Sequence, residues 1–313
     1  MKTILNDTLG IKFPLFQGGM ARISDAALAA AVSNAGGLGI IAAGNSPSDF
    51  LLREIKKIKS MTNKPFGVNI MLMSPFAEEV AQVVADEEVK IVVTGAGNPA
   101  KYMKMWTEYG AKVIPVVPSV ALAKMMTRAG AFAIIAEGGE AGGHIGDITT
   151  MALVPQVCDA VNIPVIAAGG IADGRGIAAA LMLGASGVQV GTRFLAAKEC
   201  GVHENYKGMV LKAKDIDTVS TGKRLGHPVR AIKNSFVREF LSKEYDSSVS
   251  NEELEKFGEG RLKLAAVDGD TKEGCFLAGQ IAGLVNREQP ACEIIEEMFE
   301  QAKEILSGAG KFL

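Results

Sequence analysis

Aromatic residues make up only 6% of this chain, and tryptophan occurs once. A core must then be built from alanine, valine, isoleucine and glycine, which favours closely packed α/β layers over a β-sandwich. Cysteine is also sparse. Cys158, Cys200, Cys275 and Cys292 are scattered, with no C-x-x-C pair. Neither a disulfide framework nor a thiolate metal site is indicated, and a reduced, cytoplasmic setting is expected. Charge of the two signs nearly cancels. The formal net charge of -2 argues against a general nucleic-acid binder. No uninterrupted apolar run reaches membrane-spanning length, and Met1 to Asp7 carries an acid too early for a secretion signal. The expectation is a soluble protein with no membrane and no nucleic-acid partner.

What is present is a repeated unit. A short run of β-branched and small residues, in most cases followed by glycine, leads into a helix. The runs are Leu15–Gln17, Leu38–Ala43, Phe66–Met71, Lys90–Thr94, Lys112–Val117, Phe132–Ala136, Val165–Ala168 and Gly187–Val190. Continuous apolar runs of this length read as parallel strands buried on both faces. Ser24, Ser119 and Asp173 read as helix starts, and Gly36-Gly37 as a helix stop. Eight units at a spacing of roughly 20–30 residues suit an α/β fold of the (β/α)8 TIM-barrel type. A doubly wound open sheet is the competitor, but no G-x-G-x-x-G follows the first strand.

The barrel is predicted over residues 1–195. A small, mainly helical cap inserted after strand 8 is predicted over 196–261, with Pro228 to Ser242 read as helix. Residues 262–313 are read as helices returning to the barrel. Lys223, Arg224, Arg230, Lys233 and Arg238 fall in one acid-free stretch of the cap. That stretch reads either as a docking face for an acidic partner or nucleotide phosphate, or as an ordinary solvated helix face.

Barrel chemistry sits at the C-terminal ends of the strands. There the chain offers glycines and amides rather than the paired carboxylates of sugar hydrolysis or the clustered His and Asp of a metal hydrolase, so no metal is expected. Gly169-Gly170 and Gly191-Thr192 follow strands 7 and 8, where barrels commonly cradle phosphate with backbone N–H groups. His144 is one of three histidines and lies among Gly142, Gly143 and Gly146, which reads as a mobile loop presenting its imidazole to a ligand. His203 and His227 read as structural. A phosphate cradle, glycine walls and one presented histidine suit flavin mononucleotide, which brings its own redox chemistry. Asn69 is placed to bond the flavin ring edge. Met20 either packs on the ring or fills core, and Glu137 either orients a ligand or bonds backbone.

Gln17-Gly18-Gly19-Met20, Ala141-Gly142-Gly143-His144, Ala167 to Gly174 and Gly187 to Phe194 resemble the nitronate monooxygenase-like flavoproteins. Within them, Phe66 to Leu72, Thr94 to Pro99, Ala136-Glu137-Gly138 and Gly226 to Asn234 are similar to the FMN-dependent enoyl-acyl-carrier-protein reductase II branch. The resemblance implies FMN contacts at Gly19, Met20, Asn69, Glu137, Gly169, Gly170, Gly191 and Thr192, with His144 as the catalytic residue. It implies NADH or NADPH as co-substrate, hydride relayed through the flavin to the β-carbon of a trans-2-enoyl thioester, and an acidic acyl carrier protein as partner. It further implies a homodimer and a response to monovalent cations. The alternative is a nitronate monooxygenase oxidising nitroalkanes with FMN and O2.

Overall fold

The computed structural model describes residues 1–312. Eight parallel strands form one sheet: β1 (Leu15–Gln17), β2 (Gly39–Ala42), β3 (Phe66–Met71), β4 (Ile91–Gly95), β5 (Lys112–Val117), β6 (Ile134–Glu137), β8 (Val165–Ala168) and β9 (Gly187–Val190). A two-residue strand, β7 (Gly143–His144), lies outside it. β1 pairs with β9 at one edge, and a parallel bridge from Phe16 to Leu38 joins β1 to β2 at the other. The sheet thereby closes into the expected TIM barrel. Its bottom is plugged by the short helix α1 (Ile4–Leu9), whose Leu5 and Leu9 pack beneath Phe16, Ile40, Ile114, Ile135 and Ile166.

Helices α2 (Ala26–Asn34), α3 (Ser48–Met61), α4 (Ala77–Asp86), α5 (Ala100–Glu108), α6 (Val120–Arg128), α7 (Thr150–Ala160) and α8 (Gly174–Met182) alternate with the strands. Side-chain oxygens start several of them. Asp25 accepts from the Leu28 amide at 3.0 Å, so the cap of α2 lies one residue beyond the expected Ser24. Ser119 and Asp173 cap α6 and α8 as expected. The helix that follows β9 in space is the C-terminal one, Ala291–Ser307, which packs between α8 and α2.

The segment between β9 and that helix carries α9 (Glu204–Lys212), β10 (Thr218–Thr221), β11 (Val229–Ile232), α10 (Ser235–Tyr245) and α11 (Asn251–Gly258). Helix outweighs strand here, but the helix expected from Pro228 to Ser242 begins only at Ser235. Val229 to Ile232 is a strand, pairing with β10 on one side and β7 on the other. A proline lacking its N–H and two β-branched residues suit a strand start better than a helix interior. Asn234 ends the strand and caps α10 through the Val237 amide at 3.0 Å. Among the described residues, no helix is long and apolar enough to cross a membrane.

Candidate active site at the barrel mouth

Alternation along each strand decides what faces the barrel interior. Ile135 on β6 points into the apolar plug, so Glu137, two residues on, points into the layer above it. The same parity brings Asn69 inward from β3 and Gln189 inward from β9. These side chains line a cavity of about 420 Å³ at the C-terminal ends of the strands. Gly19, Met20, Asn69, Glu137, His144, Gly169, Gly170, Gly191 and Thr192 all border this one cavity.

Gly169 and Gly170 have φ of +87° and +71°. Two consecutive left-handed residues turn the chain sharply after β8, leaving backbone rather than side chain toward the cavity. The Thr192 hydroxyl accepts from the amide of Gly279, which also borders the cavity, at 2.9 Å, and its own O–H remains free to donate. Asn69 donates its Nδ2 to the Gly19 carbonyl at 3.2 Å, leaving Oδ1 without a partner. Gln189 Oε1 is likewise buried and unpaired. Two buried acceptors on the walls of one cavity call for a ligand with N–H or O–H donors.

Glu137 adds a third acceptor group. Burial pushes its carboxyl up to about 7, and no hydrogen bond compensates among the described residues. An unfolded glutamate titrates near 4.5. Between these values the native state binds more protons, so stability falls as pH rises through that window. Glu137→Gln should abolish this fall in the ligand-free protein. Urea unfolding at pH 5 and pH 8 should show the variant gaining on the wild type by ~2 kcal/mol, discounted for water in the cavity. Equal pH dependence in both proteins would contradict a buried, unpaired carboxyl.

His144 sits at the rim, exposed to the cavity mouth. Burial by the walls lowers its pKa, and the nearby His227 lowers it further, so its neutral form is favoured. The expectation of a mobile loop is overturned here. His144 belongs to β7, in register with Val229 of β11, and the Ile145 amide donates to the Pro228 carbonyl at 3.0 Å. Of the surrounding glycines, Gly142 and Gly146 serve close packing and Gly143 a left-handed turn. A Cβ on Gly142 would lie 2.7 Å from the Ala278 carbonyl carbon. Thus the cap grips the loop that carries the histidine.

Arg230 completes the grip, its Nε and Nη2 donating to the Gly139 carbonyl at 3.1 and 2.9 Å. Arg224 is spent similarly, on the carbonyls of Glu244, Asp246 and Val249, and Lys233 donates to the Ile216 carbonyl. The basic stretch is therefore not the uniform docking face that sequence allowed. Arg224 and Lys233 bond carbonyls within the cap and Arg230 ties the cap to the barrel loop, because unpaired carbonyls at the chain turns need donors. Arg230→Ala should lower stability by about 1.5–3 kcal/mol. It should also speed amide exchange at Ile145, whereas unchanged exchange there would show that Arg230 does not hold the loop.

Sequence reasoning missed Gln189, Glu140 and the 277–281 segment. Gln189 was detectable, since it alternates with Gly187 and Gly191 on one strand face. Glu140 lines the cavity and accepts from the Thr150 amide and hydroxyl at 2.9 Å. Leu277, Gly279 and Ile281 come from far along the chain and have no local motif.

A model of the nitronate monooxygenase family matches residues 2–301. The structure of FabK from Thermotoga maritima is 48% identical, covers 100% of both chains and superposes with a TM-score of 0.97. A probable nitronate monooxygenase of Staphylococcus saprophyticus is 34% identical over 98% of this chain and 99% of its own. An octahydro-indene carboxyl-CoA dehydrogenase of Mycobacterium tuberculosis is 34% identical over 95% of each. Fold, site and matches together define a TIM-barrel oxidoreductase of the flavoprotein class. Within that class, the chain belongs to the nitronate monooxygenase family.

Proposed function

We propose that this protein is an FMN-dependent enoyl-acyl-carrier-protein reductase using NADH or NADPH. The observation that carries this reading is the full-length likeness to FabK, an enoyl-acyl-carrier-protein reductase II, at 48% identity. The cavity residues fit a flavin. Asn69 Oδ1 and Gln189 Oε1 are acceptors in want of donors, which flavin N–H and ribityl hydroxyl groups would supply. Gly169-Gly170 and Gly191-Thr192 would take the phosphate through their backbone. Met20, at the cavity wall, would pack on the ring. When bound, FMN supplies the two-electron chemistry linking the nicotinamide to the enoyl double bond.

This chain's own residues then handle the thioester. Met71, Val116, Leu122 and Met126 give the cavity an apolar side suited to an acyl chain. Neutral His144 would donate an N–H hydrogen bond to the thioester oxygen as enolate charge develops; delivering the proton needed at the α-carbon would instead require its imidazolium form. Lys223 and Arg238, exposed on the cap, would meet an acidic carrier protein.

The test is anaerobic titration of the purified protein with NADH and NADPH, followed by a crotonyl or longer enoyl thioester. Flavin bleaching by a nicotinamide and recolouring by the thioester is the expected cycle. No bleaching by either donor would favour the second reading, a nitronate monooxygenase. The family match and relatives such as the Staphylococcus saprophyticus protein support that alternative, and nitroalkanes would then be the substrates.

A further inference from the structure

The second histidine at the mouth, His227, lies on the turn between β10 and β11, two residues before the Val229 that pairs with His144. Strand register therefore holds both rings on one side of the mouth, with centroids 6.3 Å apart and planes tilted by 54°. On its far side, His227 Nε2 lies 3.9 Å from the Glu255 carboxylate of α11. A line of titratable groups thus runs from the cap surface to the cavity: Glu255, His227, His144. At such spacing two imidazolium charges repel.

The other charged groups nearby are engaged or set apart. Arg230 is bound at the Gly139 carbonyl, and Arg224 at Glu244 and neighbouring carbonyls. Glu140 is held by Thr150, and Glu137 lies deeper on the inward face of β6. Lys223 points to solvent. Beside burial, the one group whose positive charge bears on His144 is the neighbouring His227 ring.

We propose that His227 is a positioning residue for the reaction: strand register holds its ring 6.3 Å from that of His144, so that the two rings do not carry charge together and His144 works as a neutral N–H donor. The role of His144 in this statement rests on the function proposed above, but the coupling between the two rings does not. His227 reaches the ligand only through His144. The pair also makes the docked cap a condition for a correctly titrating active site, since the β7–β11 pairing sets their separation.

The experiment is an NMR titration of the imidazole signals in the full-length, flavin-loaded protein. Only His144, His203 and His227 contribute, so single substitutions assign every signal. His227→Gln removes the charge, and the His144 midpoint should rise by about half a unit. His227→Lys retains a positive charge, and the midpoint should stay at or below the wild-type value. Opposite responses from two substitutions at one position report charge, which a purely structural role would not produce. Shifts in the same direction, or a His144 midpoint unmoved by His227→Gln, would overturn the proposal. The acid limb of the pH–rate profile should follow the His144 midpoint with whichever substrate is turned over. The NMR result stands even if enoyl thioesters are not substrates, so the two readings fail separately.

Discussion

Replacing His144 with alanine is expected to leave a folded, yellow protein whose turnover falls by about 10²–10⁴-fold, the range for loss of a positioned proton-transfer group. The expectation follows from where the residue sits. Its ring is at the rim of the cavity, and among the described residues its ring nitrogens make no hydrogen bond that alanine would break. Its backbone pairing with Val229 does not depend on the side chain. Flavin content and thermal stability should therefore stay near the wild type while kcat collapses. KM should change much less, because in the proposed reaction the missing interaction would strengthen only as charge develops on the substrate. Near-normal kcat with colour retained would remove His144 from the chemistry. Loss of colour would instead make it a cofactor ligand.

Replacing Gly170 with valine should have the reverse signature. The residue sits at φ +71°, where a β-branched side chain is a severe outlier, and the left-handed conformation costs roughly 1–2 kcal/mol. A Cβ there has room, with Glu140 as its nearest neighbour at 3.6 Å, so the fold should survive. The added methyl groups would enter the turn after β8 at the place where backbone faces the cavity. Purified protein should be colourless, with an unchanged far-UV circular dichroism spectrum and little gain in thermal stability on adding FMN. A variant purifying with full flavin content would show that the Gly169-Gly170 turn does not hold the phosphate. Read together, the two variants separate binding from chemistry within one cavity.

The repeated strand–glycine–helix unit was legible without any structure. Runs such as Val165–Ala168 and Gly187–Val190 carry their burial in their composition, and buried parallel strands need no partner's identity to be recognised. The C-terminal ends of those strands were equally legible, because glycine and amide residues stand there in place of bulky ones. That is why all nine candidate residues border one cavity. Local patterns of this kind reflect short-range physics: parity along a strand, capping oxygens, and left-handed turns that glycine accepts most easily.

Tertiary structure decided everything that depends on distant partners. His144 looked mobile because glycine-rich stretches do so in isolation, yet its partner strand starts at Val229, far along the chain. The same pairing made Pro228 to Ile232 a strand entry and not helix, since a short β-run is stable only against the neighbour that satisfies its backbone. Arg224, Arg230 and Lys233 looked like a charged face, but carbonyls of the cap and, for Arg230, of the barrel loop at Gly139 claimed them. The His144–His227 pair has no local signature at all. Charge coupling is set by separation in space, and here that separation follows from the register of two strands lying in the barrel loop and in the cap.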